Sequence, residues 1–592
     1  MFQIALKSLR AKWRDYTVLF VGLVISAAIF YMLSAIALNR DFLLNNSSIG
    51  LIVPVFMVGE FLLGVITFVF LNFANSFLLR LRQSEYGLMS MLGAKKSQIG
   101  DLLMQETLAL GVISTVIGIF AGIGLTAASG NFLMNLLDTK LANWSVFSFN
   151  AALATLVFFV ALFFINGLYN RGRLSKQDTL TLLTADKQVS QPKRHKLLDP
   201  LLGLVGLGLL ILSYVMMPGI VHLGLYGFIV VLVLNVWGTY WFVSRTLKMV
   251  TYALRGSRFN NRGLRSFLNG QLLFRLPEYQ RILTVISVMF GLALGAMSVG
   301  QGYYRALPQQ AQSGQPFTAA YTSDKISTSN LKDITWEATY HYSVNKGKVY
   351  FNGDEFNEKK LPTVVETGKG NDTRIKWLTG DYLLATPGSE YTLTSIANQI
   401  LDKQYGATAV VTHNESEMAV EGDVKSVRLV TVKSFAANEA TLTANAKREA
   451  RLTGTAMNHQ AGVPGMFTLL KNVFGGLEFM GIFLGIAFLA MLASTLMFKV
   501  LSGVADDKRR YRILTMIGTS KRQVTATVVK DLGVLFFIPL VIGTLDVIFG
   551  LPMFKALMAD PYVGFMPSLI AIVVLYVIYF VMTVILYRRL LK

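Results

Sequence analysis

No cysteine occurs in the 592 residues, which excludes a disulfide framework, a thiolate zinc site, an iron–sulfur cluster and a cysteine nucleophile. Charge is scarce too: 15% of the residues are Asp, Glu, Lys or Arg against 53% hydrophobic, and the mean hydropathy is +0.50. Such a chain does not remain in water as a free globule. The five histidines, His195, His222, His341, His413 and His459, stand in different loops without an H-x-x-x-H pair, so no metal site is expected. No G-x-S-x-G elbow or matched carboxylate pair is present. Gly347-Lys348 and Gly368-Lys369 lack the Gly five positions before and the Ser or Thr after that a P-loop needs. The reading is a chain that is not an enzyme and carries no cofactor of its own. The first apolar run lacks a small-residue cleavage pattern, so no cleaved signal peptide is expected.

What the chain has in quantity is long uncharged runs. An ionised group at bilayer centre costs about 2.5–3.5 kcal/mol on the mildest scale, so uncharged windows locate membrane spans. Between Asp15 and Arg40 lie 24 uncharged residues, between Glu106 and Asp138 31, and between Lys140 and Arg171 30. These are the first, third and fourth spans, and Leu51 to Leu79, apolar apart from Glu60, is the second. From Pro200 to Ser244 run 45 residues without Asp, Glu, Lys or Arg, with Pro218-Gly219 near the middle, which predicts two spans joined by a tight turn. Further spans are expected from Ile282 to Tyr304, from Phe479 to Phe498, from Leu532 to about Gly550 around Asp546, and within Pro561 to Tyr587. Backbone polar groups in lipid must be satisfied within the segment, so these long runs are helices, not barrel strands. The fold class expected is a polytopic α-helical membrane protein of ten transmembrane helices, with an α+β domain inserted between helices 7 and 8.

The formal net charge of +21 is unevenly placed. Residues 1–15, 79–106, 171–200, 245–281, 499–530 and 588–592 hold 34 Lys and Arg, whereas the intervening short loops hold Arg40, Lys140 and Lys555. Basic residues flanking short loops stay on the cytoplasmic side. Both termini are therefore expected inside, and residues 306–470, with 16 basic and 17 acidic side chains, outside. This topology accounts for the charge without nucleic acid. In residues 1–15, Phe2, Ala5, Leu6, Leu9 and Trp13 recur at helical spacing among Lys7, Arg10, Lys12 and Arg14. An interfacial amphipathic helix and a simple flank of the first span both fit.

A duplication is the most informative feature. Residues 86–99, YGLMSMLGAKKSQI, align without gaps on residues 511–524, YRILTMIGTSKRQV, at an offset of 425. Tyr86, Met91, Gly93, Lys96 and Gln98 match Tyr511, Met516, Gly518, Lys521 and Gln523 identically. At the same offset Val116-Ile117-Gly118 falls on Val541-Ile542-Gly543 and Glu106 on Asp531. Each copy reads as a short amphipathic helix up to Leu92 or Ile517, a glycine stop, then a basic turn into the next span. An interfacial anchor is the plainer reading of one copy; a duplicated helix next to two spans suits transmission of motion.

The segments from Glu85 to Ala94 and from Tyr511 to Ser520 resemble the coupling motif of the FtsX-like (MacB-type) ABC transporter permease superfamily, with Arg510 where the first copy has Glu85. Ten spans, a four-helix unit at each end and one large outside insert resemble the bacitracin-export permease group, which handles antimicrobial peptides in Gram-positive bacteria. The resemblance implies the following domains: residues 1–15; a first unit, 16–170, with coupling helix 85–98; a linker, 171–200; a hairpin of spans 5 and 6 with its basic loop, 201–281; span 7, 282–304; an extracellular domain, 305–470; and a second unit, 471–592, with coupling helix 511–523. It also implies two copies of a separate MacB-type ATPase, which binds ATP and Mg, at coupling residues Glu85, Tyr86, Leu88, Met89, Met91, Leu92, Gly93, Lys96 and Gln98, and Tyr511, Ile513, Leu514, Met516, Ile517, Gly518, Lys521 and Gln523. The ligand implied is an antimicrobial peptide or a lipid-linked cell-wall precursor at the plasma membrane. Signalling to a membrane histidine kinase, or activation of a cell-wall hydrolase, are the alternatives.

Glu60 and Asp546 are the intramembrane acids. They are read as carboxylates reaching interfacial water, against the alternative of a relay or polar binding site. In the insert, Lys348 to Asn352 and Val424 to Lys433 read as strands, Ser389 to Tyr405 as a helix closed by Gly406, and Phe435 to Arg451 as a helix suited to a stalk. Trp336, Tyr340, Tyr342 and Tyr350 are read as sheet core in preference to a binding face.

Overall fold

The computed structural model describes residues 13–38, 52–81, 83–137, 145–175, 198–255, 265–345, 348–366, 373–385, 394, 397, 400–401, 408–412, 423–556, 558 and 560–591. Most of the expected helix from Ser389 to Tyr405, of the expected interfacial helix in residues 1–15 and of the linker 171–200 lies outside them.

Helices α1 (Trp13–Ala37), α2 (Ile52–Leu81), α3 (Gln83–Met91), α4 (Lys96–Leu137), α5 (Phe149–Ser175), α6 (Leu198–Met216), α7 (Ile220–Arg255) and α8 (Arg265–Gln312) precede the inserted sheet. After it come α12 (Val463–Met516), α13 (Lys521–Gly550) and α14 (Phe565–Leu591). Ten helical segments among the described residues are long and apolar enough to cross a membrane, beginning with Tyr16–Ala37 and ending with Phe565–Leu591. They fall on the ten expected uncharged runs, including the pair joined at Pro218-Gly219. The protein is a polytopic membrane protein, and the backbone satisfies itself by helix throughout these runs, as a medium without water demands.

The chain divides into two compact units: Met1–Asn135, Thr139–Tyr303 and Gly476–Lys592 in the first, Leu136–Asp138 and Tyr304–Gly475 in the second. In the first unit the duplication reaches further than the sequence revealed. Near the start of α1, Tyr16 Oη donates to Glu106 Oε2 on α4 at 3.1 Å; on α8, Tyr279 Oη donates to Asp531 Oδ1 on α13 at 3.4 Å. A Cβ added at Gly118 of α4 meets Ala27 Cβ at 2.5 Å and Val24 O at 3.0 Å, and one at Gly543 of α13 meets Phe290 Cδ1 at 2.8 Å and Ser287 O at 2.9 Å. Tyr16, Val24 and Ala27 match Tyr279, Ser287 and Phe290 at an offset of 263, while their partners match at 425. The two offsets differ by 162, about the length of the inserted unit. Close approach of helices at small residues is how membrane helices gain packing contacts where lipid removes the hydrophobic drive.

The second unit is α+β. Strands β1 (Ala319–Tyr321), β2 (Ile334–Asn345), β3 (Lys348–Asn352), β6 (Thr408–Thr412) and β7 (Lys425–Val432) form one sheet in the order β1-β7-β2-β3-β6, and β4 (Leu361–Glu366) pairs with β5 (Thr373–Leu378). All pairings are antiparallel except β3 with β6. Short helices α9 (Gly353–Glu358) and α10 (Gly380–Ala385) flank the β4–β5 pair, and α11 (Phe435–Thr453) follows β7. Ser434 caps α11 by accepting from Ala437 N, and Gly454, at φ +72°, closes it. Tyr340 and Tyr342 are buried in the core with Phe351 and Phe356, as expected of sheet-core aromatics, whereas Trp336 and Tyr350 are only half-buried. Burial pushes the Tyr340 phenol well above its ordinary range, with the Glu355 carboxylate adding to the shift.

Candidate functional site

The duplicated segments sit where the helices of the first unit leave their spans. After span Val53–Ser76, α3 runs over Gln83–Met91 and stops. Ala94 N donates back to Met89 O at 3.0 Å, and Gly93 takes φ +96°. In the second copy Thr519 N donates to Leu514 O at 3.1 Å and Gly518 takes φ +94°. These are the same residues by alignment and the same helix-ending turn, which L side chains adopt only with strain. A Cβ at either glycine meets nothing within 4 Å, so backbone conformation alone selects glycine there.

The glutamines of the repeat have a structural task. Gln523 Oε1 accepts from Ser520 N at 3.1 Å while Ser520 Oγ accepts from Gln523 N, a capping box at the start of α13. Gln98 Oε1 accepts from Lys95 N at 3.0 Å in the equivalent place on α4. Each repeat therefore closes one helix and opens the next within a few residues, which fixes the angle between them.

Tyr86 and Tyr511, counted among the coupling residues from the sequence, are buried. Tyr86 packs with Leu79, Ile99 and Leu103, and Tyr511 lies 6.1 Å from the Phe267 ring. They fasten each segment to the bundle. Met89 and Leu514 are half-buried. What remains outward is an apolar cap repeated on both copies: Met91 is 71% and Leu92 81% exposed, Met516 75% and Ile517 76%, with Leu88 and Ile513 exposed beside them. These six residues lie outside the candidate spans. Glu85, Lys521 and Gln523 are exposed, and the side chain of Lys96 lies outside the described residues.

Two differences separate the copies. The second is not a short helix of its own, as expected, but the C-terminal end of the 54-residue α12; no Gly or Pro lies between Gly503 and Gly518 to interrupt it. Asp507 fixes that end, accepting from Gln271 Nε2 at 3.3 Å and from Tyr587 Oη. The charges around the copies differ as well: residues 80–101 hold Arg80, Arg82, Lys95 and Lys96 against Glu85 and Asp101, while residues 505–526 hold Lys508, Arg509, Arg510, Arg512, Lys521 and Arg522 against Asp506 and Asp507.

Asp546 departs from the expectation of a carboxylate turned to water, whereas Glu60 stays half-exposed. Asp546 Oδ1 accepts from Tyr214 Oη at 2.6 Å and Asn235 Nδ2 at 3.0 Å, which ties α6 and α7 to α13. Glu60 Oε1 accepts from Ser34 Oγ on α1 at 2.8 Å. Each carboxylate finds its donors on neighbouring helices, the usual arrangement for polar groups inside a bundle. Among the described residues no group of three or more His, Asp or Glu is placed to hold a metal ion.

Residues 57–178 match the FtsX-like permease C-terminal family, a range that contains the first copy. Over 594 aligned residues the chain is 24% identical to ABC transporter permease protein YxdM of Bacillus subtilis (strain 168), covering 93% of this chain and 92% of that one. It is 20% identical to the ABC transporter permease YvcS of the same organism, over 99% and 98% of the two chains. It is 21% identical to bacitracin export permease protein BceB of that organism, over 55% of this chain and 51% of the relative.

Proposed function

We propose that this chain, which carries an FtsX-like permease domain and resembles ABC transporter permeases over nearly its whole length, is the membrane subunit of a transporter driven by two copies of a separate MacB-type ATPase. The single observation that carries the reading is the matched pair of exposed apolar caps, Leu88-Met91-Leu92 and Ile513-Met516-Ile517, each closed by a positive-φ glycine. Two copies of one ATPase, each with an apolar groove, suit two such caps. ATP and Mg belong to that partner. The bias of Lys and Arg supports a cytoplasmic position for both termini and both caps, with the inserted unit outside, and the Bacillus relatives support the plasma membrane of a Gram-positive cell.

The work done is mechanical. Helix α12 carries Val463 and Phe467, packed in the core of the inserted unit, near one end and the second cap at the other. Movement of the ATPases bears on that helix, and the inserted unit captures an antimicrobial peptide, alone or bound to a lipid-linked cell-wall precursor, and releases or expels it. The likeness to a bacitracin export permease supports a peptide of that kind. Co-purification with a candidate MacB-type ATPase from the same organism, in lipid nanodiscs, tests the reading. The expected result is a complex of two ATPases per permease whose hydrolysis rises severalfold with bacitracin or another cell-wall-active peptide; no association, or hydrolysis indifferent to the whole panel, rejects it.

A further inference from the structure

We propose that the inserted unit holds an extended, cationic peptide segment along the open edge of β7 at Val424 to Val427, by backbone pairing in the cleft beside that edge. The site rests on the reading that this unit captures peptide, and it names the face and the mode of capture.

Among the described residues the edge is unpaired. Strand β2 pairs with β7 as far as Lys425, but on the other side β1 is three residues long and reaches only Arg428 to Val430. Thr318 N donates to Val430 O, so Val430 turns its backbone groups toward the β1 row. Strand alternation turns those of Arg428 and Ser426 the same way. Beside Ser426 no strand continues the row among the described residues. The chain leaves the sheet there, and Thr322 N and Oγ1 both donate to Glu449 Oε1 of α11, at 2.7 and 2.6 Å. Side-chain contacts, Ser426 Oγ to Asp324 Oδ1 at 3.3 Å and Arg428 Nη1 to Ile326 O at 3.5 Å, bridge back.

The space so opened is a cleft of about 530 Å³, lined by Thr322, Asp324, Ser426, Glu449, Thr453 and Gln460 among others. That volume suits a few residues of peptide. An unpaired strand edge is a template for another chain, and extended peptides are commonly held by completing a sheet. Of the charged groups at the cleft, Asp324 and Glu449 outweigh Lys425, and His341 is closed by its Nδ1 onto Glu355 Oε1 at 2.6 Å. The lining is acidic on balance, which selects a basic peptide.

The test uses the intact chain in nanodiscs without any ATPase and, as probe, a short linear peptide of alternating lysine and valine, with alternating glutamate and valine as its counterpart. The lysine peptide is expected to bind at least about tenfold more tightly than the glutamate one. On binding, the Ser426 amide passes from fast to slow hydrogen exchange, while the Val427 amide, which faces β2, is slow throughout. Thr453→Trp, which fills the cleft, is expected to weaken binding by about tenfold or more with unchanged thermal melting. A Ser426 amide already slow without peptide, equal binding of both peptides, or undiminished binding by folded T453W each overturns the proposal. If T453W does not fold, the exchange measurement on the natural chain decides. Failure here with ATPase recruitment intact rejects the edge site alone; loss of recruitment with this binding intact rejects the transporter reading alone.

Discussion

Leu92→Asp and Ile517→Asp each reduce ATPase binding by about ten- to a hundredfold, and the double variant abolishes it. The magnitude follows from burial: a Leu or Ile side chain moved from water into an apolar groove contributes about 1.5–3 kcal/mol, and each 1.4 kcal/mol is a factor of ten in affinity. A carboxylate in the same groove adds a desolvation cost. Leu92 and Ile517 are more than three-quarters exposed, so neither change removes a packing contact within the permease, and its melting temperature is expected to stay within a degree or two of the parent. Quantitative pull-down of the ATPase against permease concentration measures the effect. Equal binding by either single variant removes that cap from the interface. Because the second cap is ringed by Lys508, Arg509, Arg510 and Arg512, binding through it alone, in Leu92→Asp, is the more sensitive to salt if the matching ATPase rim is acidic.

Gly118→Val and Gly543→Val destabilise the bundle, and for the same reason in both halves. At Gly118 the new Cβ lies 2.5 Å from Ala27 Cβ and 3.0 Å from a backbone carbonyl of α1; at Gly543 it lies 2.9 Å from both Gly291 N and Ser287 O of α8. Backbone cannot turn aside as a flexible side chain can. Overpacking of this sort costs about 1–3 kcal/mol, and Val adds two methyl groups to the Cβ that already collides. Gly533→Ala on the same helix is the control: nothing lies within 4 Å of its Cβ, so it is expected to be neutral or slightly stabilising. Thermal melting in detergent separates the three, and a Gly543→Val bundle that melts with the parent contradicts the close helix contact.

Much of this was legible in the residues. Uncharged runs marked all ten spans because lipid tolerates few charges, and the aligned pair Gly93 and Gly518 marked the helix ends because a left-handed turn needs glycine. The matching of α1 with α8 was hidden: over those helices Tyr16 and Tyr279 agree, but Val24 answers Ser287 and Ala27 answers Phe290, and the inserted unit moves the offset from 425 to 263. What is alike there is helix-to-helix geometry, which apolar residues satisfy in many combinations. Asp546 was misread for a related reason. Its partners Tyr214 and Asn235 stand more than 300 positions away, so position along a span gave no hint of them. Gln98 and Gln523 stood out as identical residues, yet their common role is to cap a helix, a task that a contact-surface reading does not anticipate. Tyr86 and Tyr511 likewise serve the bundle from within, which takes them out of the proposed coupling surface and leaves the exposed members of each copy to form it.

The absence of cysteine makes the decisive measurement direct. Leu92→Cys and Ile517→Cys, introduced singly, place one thiol in an otherwise thiol-free chain, and a membrane-impermeant maleimide reports where it lies. The expected result is labelling of both thiols in inverted vesicles, none in intact protoplasts, and protection of both when the ATPase is bound. Labelling of either from outside the cell, or labelling that the bound ATPase leaves unchanged, contradicts the account.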